Sequence, residues 1–395
     1  MVDSFVKGII QLVESALTGR EQPLPENLDF EMVYEFAKAH NVVTLLYYGL
    51  KNSKANLSAE LDKKFFLSAA SAAAFFEQQQ RGFGELCTKF DREEIDYLVL
   101  KGAAIRKEYP QEDFRAMGDI DFLIRAEQYE KIQGIMADLG YQEEEEWNSV
   151  FSWRKKLLHV ELHQTPIPTD VEDYHNYYKD GWHLAKKCDG SQNRYEMSNE
   201  DSFIYIFVHF AKHYRIAGIG IRQLVDLYIL LEKHSDMDME YIKTELEKLS
   251  LLKFFENVKR TISVWFYDVP SDEIVDFITQ RVMRSGVFGT REAFNQSTAI
   301  KEGKKNNVKH IRLRRFMNAL FMPYKDMCIL FPVLKKLPIL LPVMWLWRFV
   351  RILLFRTSRF NQRMGEIKSI SSSKLKRYEE ELDVVGLNYG TKEGL

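Results

Sequence analysis

The chain has 395 residues, 46% of them hydrophobic and 13% aromatic, which suits two or three packed domains and excludes a disordered chain. Three scattered cysteines, Cys87, Cys188 and Cys328, have neither zinc-finger nor thioredoxin spacing, so a zinc module and a disulfide framework are set aside in favour of reduced thiols. The net charge of −2 hides a split: residues 301–378 carry 19 Lys/Arg against 3 Asp/Glu, a balance of +16, which leaves −18 for the rest and marks a basic, anion-facing segment on an acidic body.

The chain opens on an amphipathic pattern, Phe5, Ile9, Ile10, Val13 and Leu17, with acids among the apolar residues. It lacks the charged start and cleavage site of a signal peptide, so a cytoplasmic protein is expected. Residues 1–90 read as an N-terminal helical region. Its longest element is Ala59–Phe90, free of proline, which favours one long helix, with Gly82 and Gly84 the places where it could break.

From residue 91 the pattern changes. Ile95–Leu100 is a short β-type run ending in Lys101-Gly102, and Ala103–Glu108 gives a turn or two of helix. Ile120–Ile124 is a second β-run, and Ala126–Leu139 a helix closed by Gly140. The four glutamates at 143–146 read as a solvated loop. Phe151–Trp153 and Leu157–His163 form a hairpin across Arg154-Lys155-Lys156. The expected fold is α+β: a small mixed β-sheet core (residues 91–195) embedded in a mostly helical chain. A helical domain follows over 196–330, with segments at about 199–214, 220–233, 238–249, 252–266 and 271–285. A basic amphipathic segment fills 331–395.

The chemistry concentrates in Arg115-Ala116-Met117-Gly118-Asp119-Ile120-Asp121-Phe122. Strand side chains alternate, so Asp119 and Asp121 point one way and Ile120 the other. Two carboxylates this close repel unless a proton or a cation intervenes, and Mg²⁺ (or Mn²⁺) with oxygen donors is the natural partner. The acids precede an apolar run and so lie at the mouth of a buried strand. Gly118, just before them, lets backbone approach a ligand. A third acid is expected from His159-Val160-Glu161-Leu162-His163, where His159, Glu161 and His163 share the face opposite Val160 and Leu162. Glu161 would join the cation and help activate an attacking hydroxyl, and His163 would lie beside the substrate.

The order strand, Gly-containing turn, acid-x-acid strand and later acid resembles the nucleotidyltransferase superfamily. More narrowly, Leu100-Lys101-Gly102, Tyr109-Pro110, Arg115 and Asp119-Ile120-Asp121-Phe122-Leu123 resemble the bacterial uncharacterised nucleotidyltransferase family. Lys101-Gly102 departs from the Gly-Ser of the wider superfamily. The resemblance implies catalysis and metal binding by Asp119, Asp121 and Glu161. It implies transfer of an NMP from an NTP such as ATP to a hydroxyl acceptor, with pyrophosphate released. Gly102 would bring backbone N–H groups to the triphosphate, and Lys101 and Arg115 would offset its charge. The alternatives are an end-of-strand Lys101 in solvent and an Arg115 paired with Glu112 or Asp113. Two other readings of the whole are an inactive binding protein of the same fold and a toxin-like enzyme acting on tRNA. The acceptor stays open among a sugar, a metabolite, a lipid-linked glycan, a protein and RNA.

In the helical part, His209, Lys212 and His213 share one helix, and Arg222 and Asp226 are four apart on the next. They resemble the family's helical portion, where His209, His213 and Arg222 would bind phosphates or acceptor. A plain Arg222–Asp226 helix ion pair is the alternative. Near the end, Leu337–Phe355 is a 19-residue apolar stretch interrupted by Pro338, Pro342, Arg348 and Arg351, which argues against a spanning helix. Arg348, Arg351, Arg356, Arg359 and Arg363 fall on one side, and Leu346, Trp347, Val350, Leu353 and Leu354 away from it. Two readings stand level: a helix lying on an anionic membrane at its cytoplasmic face, and a core helix with a solvated basic stripe. Nucleic acid ranks below both, because no recognised module accompanies the stripe.

Overall fold

The structure, a computed structural model, describes residues 4–267, 269–287, 289–303, 308–355 and 357–387. Four helices come first: α1 (Ser4–Thr18), α2 (Phe30–His40), α3 (Val43–Asn52) and α4 (Ala59–Arg92). Asp29 caps α2 by accepting from the Glu31 and Met32 N–H groups, and Ser58 caps α4 by accepting from Leu61 N–H. α4 is one long helix, as its composition favours, and runs unbroken through Gly82 and Gly84. Gly82 faces β-structure, and a Cβ there would lie 2.6 Å from Leu158 Cδ1. The missing side chain lets the helix lie flat on the sheet, and this packing offsets the lower helix propensity of glycine.

The sheet and its helices follow as β1 (Tyr97–Leu100), α5 (Lys101–Ile105), β2 (Ile120–Ile124), α6 (Tyr129–Asp138), β3 (Gln142–Trp147), β4 (Val150–Lys155), β5 (Leu158–His163), α7 (Glu172–Tyr178), β6 (Ala185–Lys187) and β7 (Arg194–Met197). Seven strands lie in the order β3-β4-β5-β2-β1-β7-β6. β2 runs parallel to β5 and antiparallel to β1, so the sheet is mixed. The chain is mostly helical with a single mixed sheet, an α+β fold. All five residues of β2 are buried, which explains their unbroken apolar run after the acid. Phe122 sits at the centre, ringed by Phe83, Phe90 and Tyr97, with Ile132, Ile135 and Met136 of α6 in the same core.

The glutamates at 143–146 are not a loop. They form β3, an edge strand bulged between Glu143 and Glu145. Tyr129 Oη donates to Glu143 and Arg154 Nε to Glu144, and charge on an edge strand discourages further pairing. β6 and β7 were not foreseen; they are short, half-exposed and carry four charges, a pattern close to that of a loop.

Helices α8 (Asn199–Ile216), α9 (Ile221–Lys233), α10 (Met239–Lys248), α11 (Leu252–Phe266) and α12 (Glu273–Ser285) continue the chain, and α13 (Arg291–Gly303), α14 (Val308–Leu320), α15 (Tyr324–Leu330), α16 (Leu341–Phe355), α17 (Thr357–Ser369) and α18 (Ser372–Val385) complete it. The contacts divide into two compact units. The first runs to His213, resumes from Ile219 through α12, and includes Val385–Leu387. The second comprises Tyr214–Gly218 and Gly289–Val384. In the second, Met327, Cys328 and Leu334 form a small core against Leu340, Leu341, Met344 and Trp345. No helix among the described residues is long and apolar enough to cross a membrane.

Candidate functional site

β2 and β5 set the geometry. Their parallel register places Asp121 opposite Glu161 and Leu123 opposite His163. Asp119 immediately precedes β2. Two overlapping donor groups result: Asp119, His159 and Glu161, and Asp121, Glu161 and His163, each with its ligand atoms within 4.8 Å of one another. Glu161 is common to both. Oxygen and imidazole donors in this arrangement suit a divalent cation. The strand alternation that flagged Glu161 also flagged His159, whose place among the donors the sequence reading missed.

The charges inside this cluster are unequal. Asp121 is 2% exposed. Burial alone would raise its pKa, but the Lys101 ammonium at 2.6 Å and His163 Nε2–H at 2.9 Å hold the carboxyl well below the usual range. Asp119 is pushed the other way, first by the Asp121 charge and then by burial. Lys101 is half-buried, and although the surrounding protein disfavours its charge, Asp121 keeps its pKa above the ordinary lysine value. His163 Nε2 also lies 3.3 Å from Glu161, while its Nδ1 is buried without a protein partner.

Lys101 has φ +47°, a left-handed backbone that few non-glycine residues adopt. It stands where the wider superfamily carries glycine, and the positive φ is the physical reason glycine suits that turn. Here the strain, of order 1–3 kcal/mol, is held by a residue whose ammonium reaches Asp121. Lys101 is therefore not the solvent-facing lysine of the alternative reading. Gly102 is buried, and a Cβ there would lie 2.4 Å from Arg115 Nη1. Its small size makes room for a guanidinium. Gly118 is exposed, with nothing within 4 Å of a Cβ position.

Arg115 pairs with neither Glu112 nor Asp113. Its Nε and Nη2 donate to Asp226 Oδ1 and Oδ2 at 3.2 and 2.9 Å, a buried two-pronged pair that Tyr109 Oη joins at 2.7 Å. Asp226 is thus not the partner of Arg222. Arg222 Nη1 instead donates to the Ala116 carbonyl at 2.6 Å, and its Nε is buried without a protein partner. Arg106 Nε donates to the Arg115 carbonyl, and Gln79 Nε2 to that of Met117. The segment leading to Asp119 is pinned from α4, from Arg106 and from α9. These tertiary partners lie up to 111 positions away in sequence, so no local pattern announces them.

α8 supplies a basic wall. His209 and His213 share one Nε2···Nε2 hydrogen bond of 3.1 Å, in which one ring donates and the other, necessarily neutral, accepts. Burial, then the Lys212 and Lys101 charges, lowers the His209 imidazole; His213 is exposed on the same helix, where the nearby Lys212 and Lys101 charges also disfavour its protonation. Lys212 is lowered to about 7 by burial and by Lys101, and also senses Asp121 and Glu161. Arg222, lowered to about 10, belongs to the same field. An acidic pole and a suppressed basic pole therefore lie within electrostatic reach of each other. A triphosphate with its cation carries the complementary pair of charges.

A family model described as uncharacterised nucleotidyltransferase matches residues 26–267, more than half of the chain. No curated protein and no solved structure matches significantly. The matched span covers both donor strands, the pinned segment before Asp119 and the basic face of α8. The protein belongs to the uncharacterised nucleotidyltransferase family and is, at family level, a transferase.

Proposed function

We propose that the protein moves a nucleoside monophosphate from an NTP to a hydroxyl group, and that Asp119, Asp121 and Glu161 hold Mg²⁺ or Mn²⁺ with His159 and His163 alongside. The observation that carries this reading is the pairing of Asp121 with Glu161 across β2 and β5, which brings both donor groups together. A divalent cation bound there supplies Lewis-acid neutralisation of the phosphate oxygens. The acceptor oxygen forms a bond to the α-phosphorus, the bond from that phosphorus to the β-phosphate bridge oxygen breaks, and pyrophosphate leaves. The acceptor proton passes to Glu161, common to both donor groups.

In this reading Lys101 is the resident counter-ion of Asp121 and turns to phosphate when substrate enters. Lys212 and Arg222 line the phosphate path, and the suppressed charge on Lys212 recovers against an anion. We place the acceptor in a cavity of about 380 Å³ that reaches Gly118, next to Asp119. Its walls mix Phe75 and Phe76 with Ser68, Ser71 and Arg106, as a polyhydroxylated or ring-bearing acceptor requires.

The test is incubation of the protein with each α-labelled NTP and a cell extract. Label should pass to one acceptor fraction with the wild type and to none with Asp119→Ala/Asp121→Ala. Mn²⁺ and NTP binding that is unchanged in the double variant would end the proposal. Ser71→Trp should raise the acceptor KM while leaving NTP binding unaltered.

A further inference from the structure

α16 is inside out. Arg348 turns inward, where its Nη1 donates to the Ala319 and Leu320 carbonyls at 2.9 and 3.2 Å. Trp345 Nε1 donates inward to the Met322 carbonyl, and Leu341 and Met344 pack on the small core. The opposite face shows Val343, Leu346, Trp347 and Val350 to solvent, with Leu346 66% and Trp347 54% exposed. The turn just before it adds Leu337 at 51% and Ile339 at 84%. Of the five arginines of the expected basic stripe, Arg348 turns inward and Arg351 is exposed, while the side chains of Arg356, Arg359 and Arg363, like those of Leu353 and Leu354, lie outside the described residues.

We infer that this face docks on an anionic lipid surface. Single exposed apolar residues need no explanation, but a contiguous group does. The charge around the group selects the partner. Residues 327–365 contain 7 Lys/Arg and no Asp/Glu, and Lys335 and Lys336, just before Leu337 in the chain, and Arg351, just after Val350, are exposed. A second copy would bring a like charge, +16 over residues 301–378, against the first. Nucleic acid would satisfy the cations but leave Ile339, Val343 and Leu346 in water. Anionic headgroups satisfy the cations while the acyl boundary takes the aliphatic side chains, and Trp347 suits the interface between them. With 15 residues, α16 lies in that interface and does not cross it. The inference does not depend on the nucleotidyl-transfer reading, since the face lies beyond the matched residues 26–267.

The full chain is to be sedimented with vesicles of phosphatidylcholine alone and of phosphatidylcholine mixed with phosphatidylglycerol. It should pellet with the mixed vesicles only, and less so at high salt. Leu346→Asp/Trp347→Asp should weaken partitioning about tenfold or more, because each change replaces an inserted side chain by a charge of the membrane's own sign. Lys335→Glu/Lys336→Glu, at exposed positions away from the helix, should abolish the preference for phosphatidylglycerol. Wild-type protein left in the supernatant, or equal partitioning of wild type and both variants, overturns the inference. So does a dimer in vesicle-free solution that Leu346→Asp/Trp347→Asp converts to monomer.

Discussion

Asp121 has two hydrogen-bond donors on its carboxylate: the Lys101 ammonium at 2.6 Å and the His163 ring at 2.9 Å. Removing the lysine charge strips away a competitor for the same oxygen. Lys101→Met should therefore tighten Mn²⁺ binding by about severalfold, since one unit charge at this range outweighs the lost packing, while NTP binding weakens. Calorimetric titration of each separates the effects, and unchanged Mn²⁺ affinity would show that Lys101 is no competitor. Lys212 offers a pH signature. Its ammonium in the free protein, lowered to about 7, is charged below that value and neutral above it, so NTP affinity should fall as pH rises through about 7. Lys212→Arg keeps its charge and should lose that inflection. Superimposable pH profiles for the two proteins would remove Lys212 from the phosphate path. Asp119, Asp121 and Glu161 were legible in the sequence because strand alternation makes carboxylates of one parity meet. Lys101 was legible as a position but not as an ion pair. Its target lies on another strand.

Two buried devices act between elements. The Arg115–Asp226 pair, with Tyr109, ties the segment before Asp119 to α9. Asp226→Ala leaves a guanidinium buried without its carboxylate and should cost about 3–5 kcal/mol, read as the shift in the urea midpoint. Activity should fall beyond the loss of folded protein, because the Asp119 backbone loosens. A shift below about 1 kcal/mol would mean water replaces the carboxylate easily. The second device is His40 on α2. Its Nδ1 accepts from the Ile221 N–H of α9, its Nε2–H donates to the Met283 carbonyl of α12, and its ring stacks on Phe36. Burial lowers its pKa from 6.5 to about 4. The unfolded chain therefore takes up this proton below pH 6.5 and the folded one only below about 4. Its contribution is complete above pH 6.5, is lost as pH falls from 6.5 to about 4, and changes no further below. The loss should be on the order of 3 kcal/mol. His40→Gln, which offers an acceptor and a donor without a titration, should flatten that part of the stability curve, and an unchanged slope would count against it.

At the scale of the molecule, the chain returns to its first unit after building the second. Val385 and Leu387 are fully buried, and Asn257 Nδ2 donates to the Val385 carbonyl at 3.1 Å. Ending the chain after Val384 should expose apolar surface beside α11 and lower the stability of the first unit. The expected loss is about 3–6 kcal/mol for two such side chains, measured by denaturation of the truncated protein. An identical midpoint would show that the return contributes nothing.

Much of this architecture follows from pattern alone. α4, β2, β5 and α8 to α12 are long or strongly periodic, and their apolar spacing dictates which face is buried whatever they pack against. The acid-x-acid strand and Glu161 belong to the same class of information. Tertiary structure decided the rest. It made a strand of the four glutamates at 143–146, because an edge strand tolerates charge that a central one does not. It took Arg115 and Asp226 out of their local neighbourhoods and paired them, because a buried charge takes whichever partner the fold brings. It turned Arg348 inward, where the carbonyls ending α14 accept from it, and left Leu346 and Trp347 on the outward face. Periodicity reports that a helix has two faces. Only the packed neighbours decide which of them meets water.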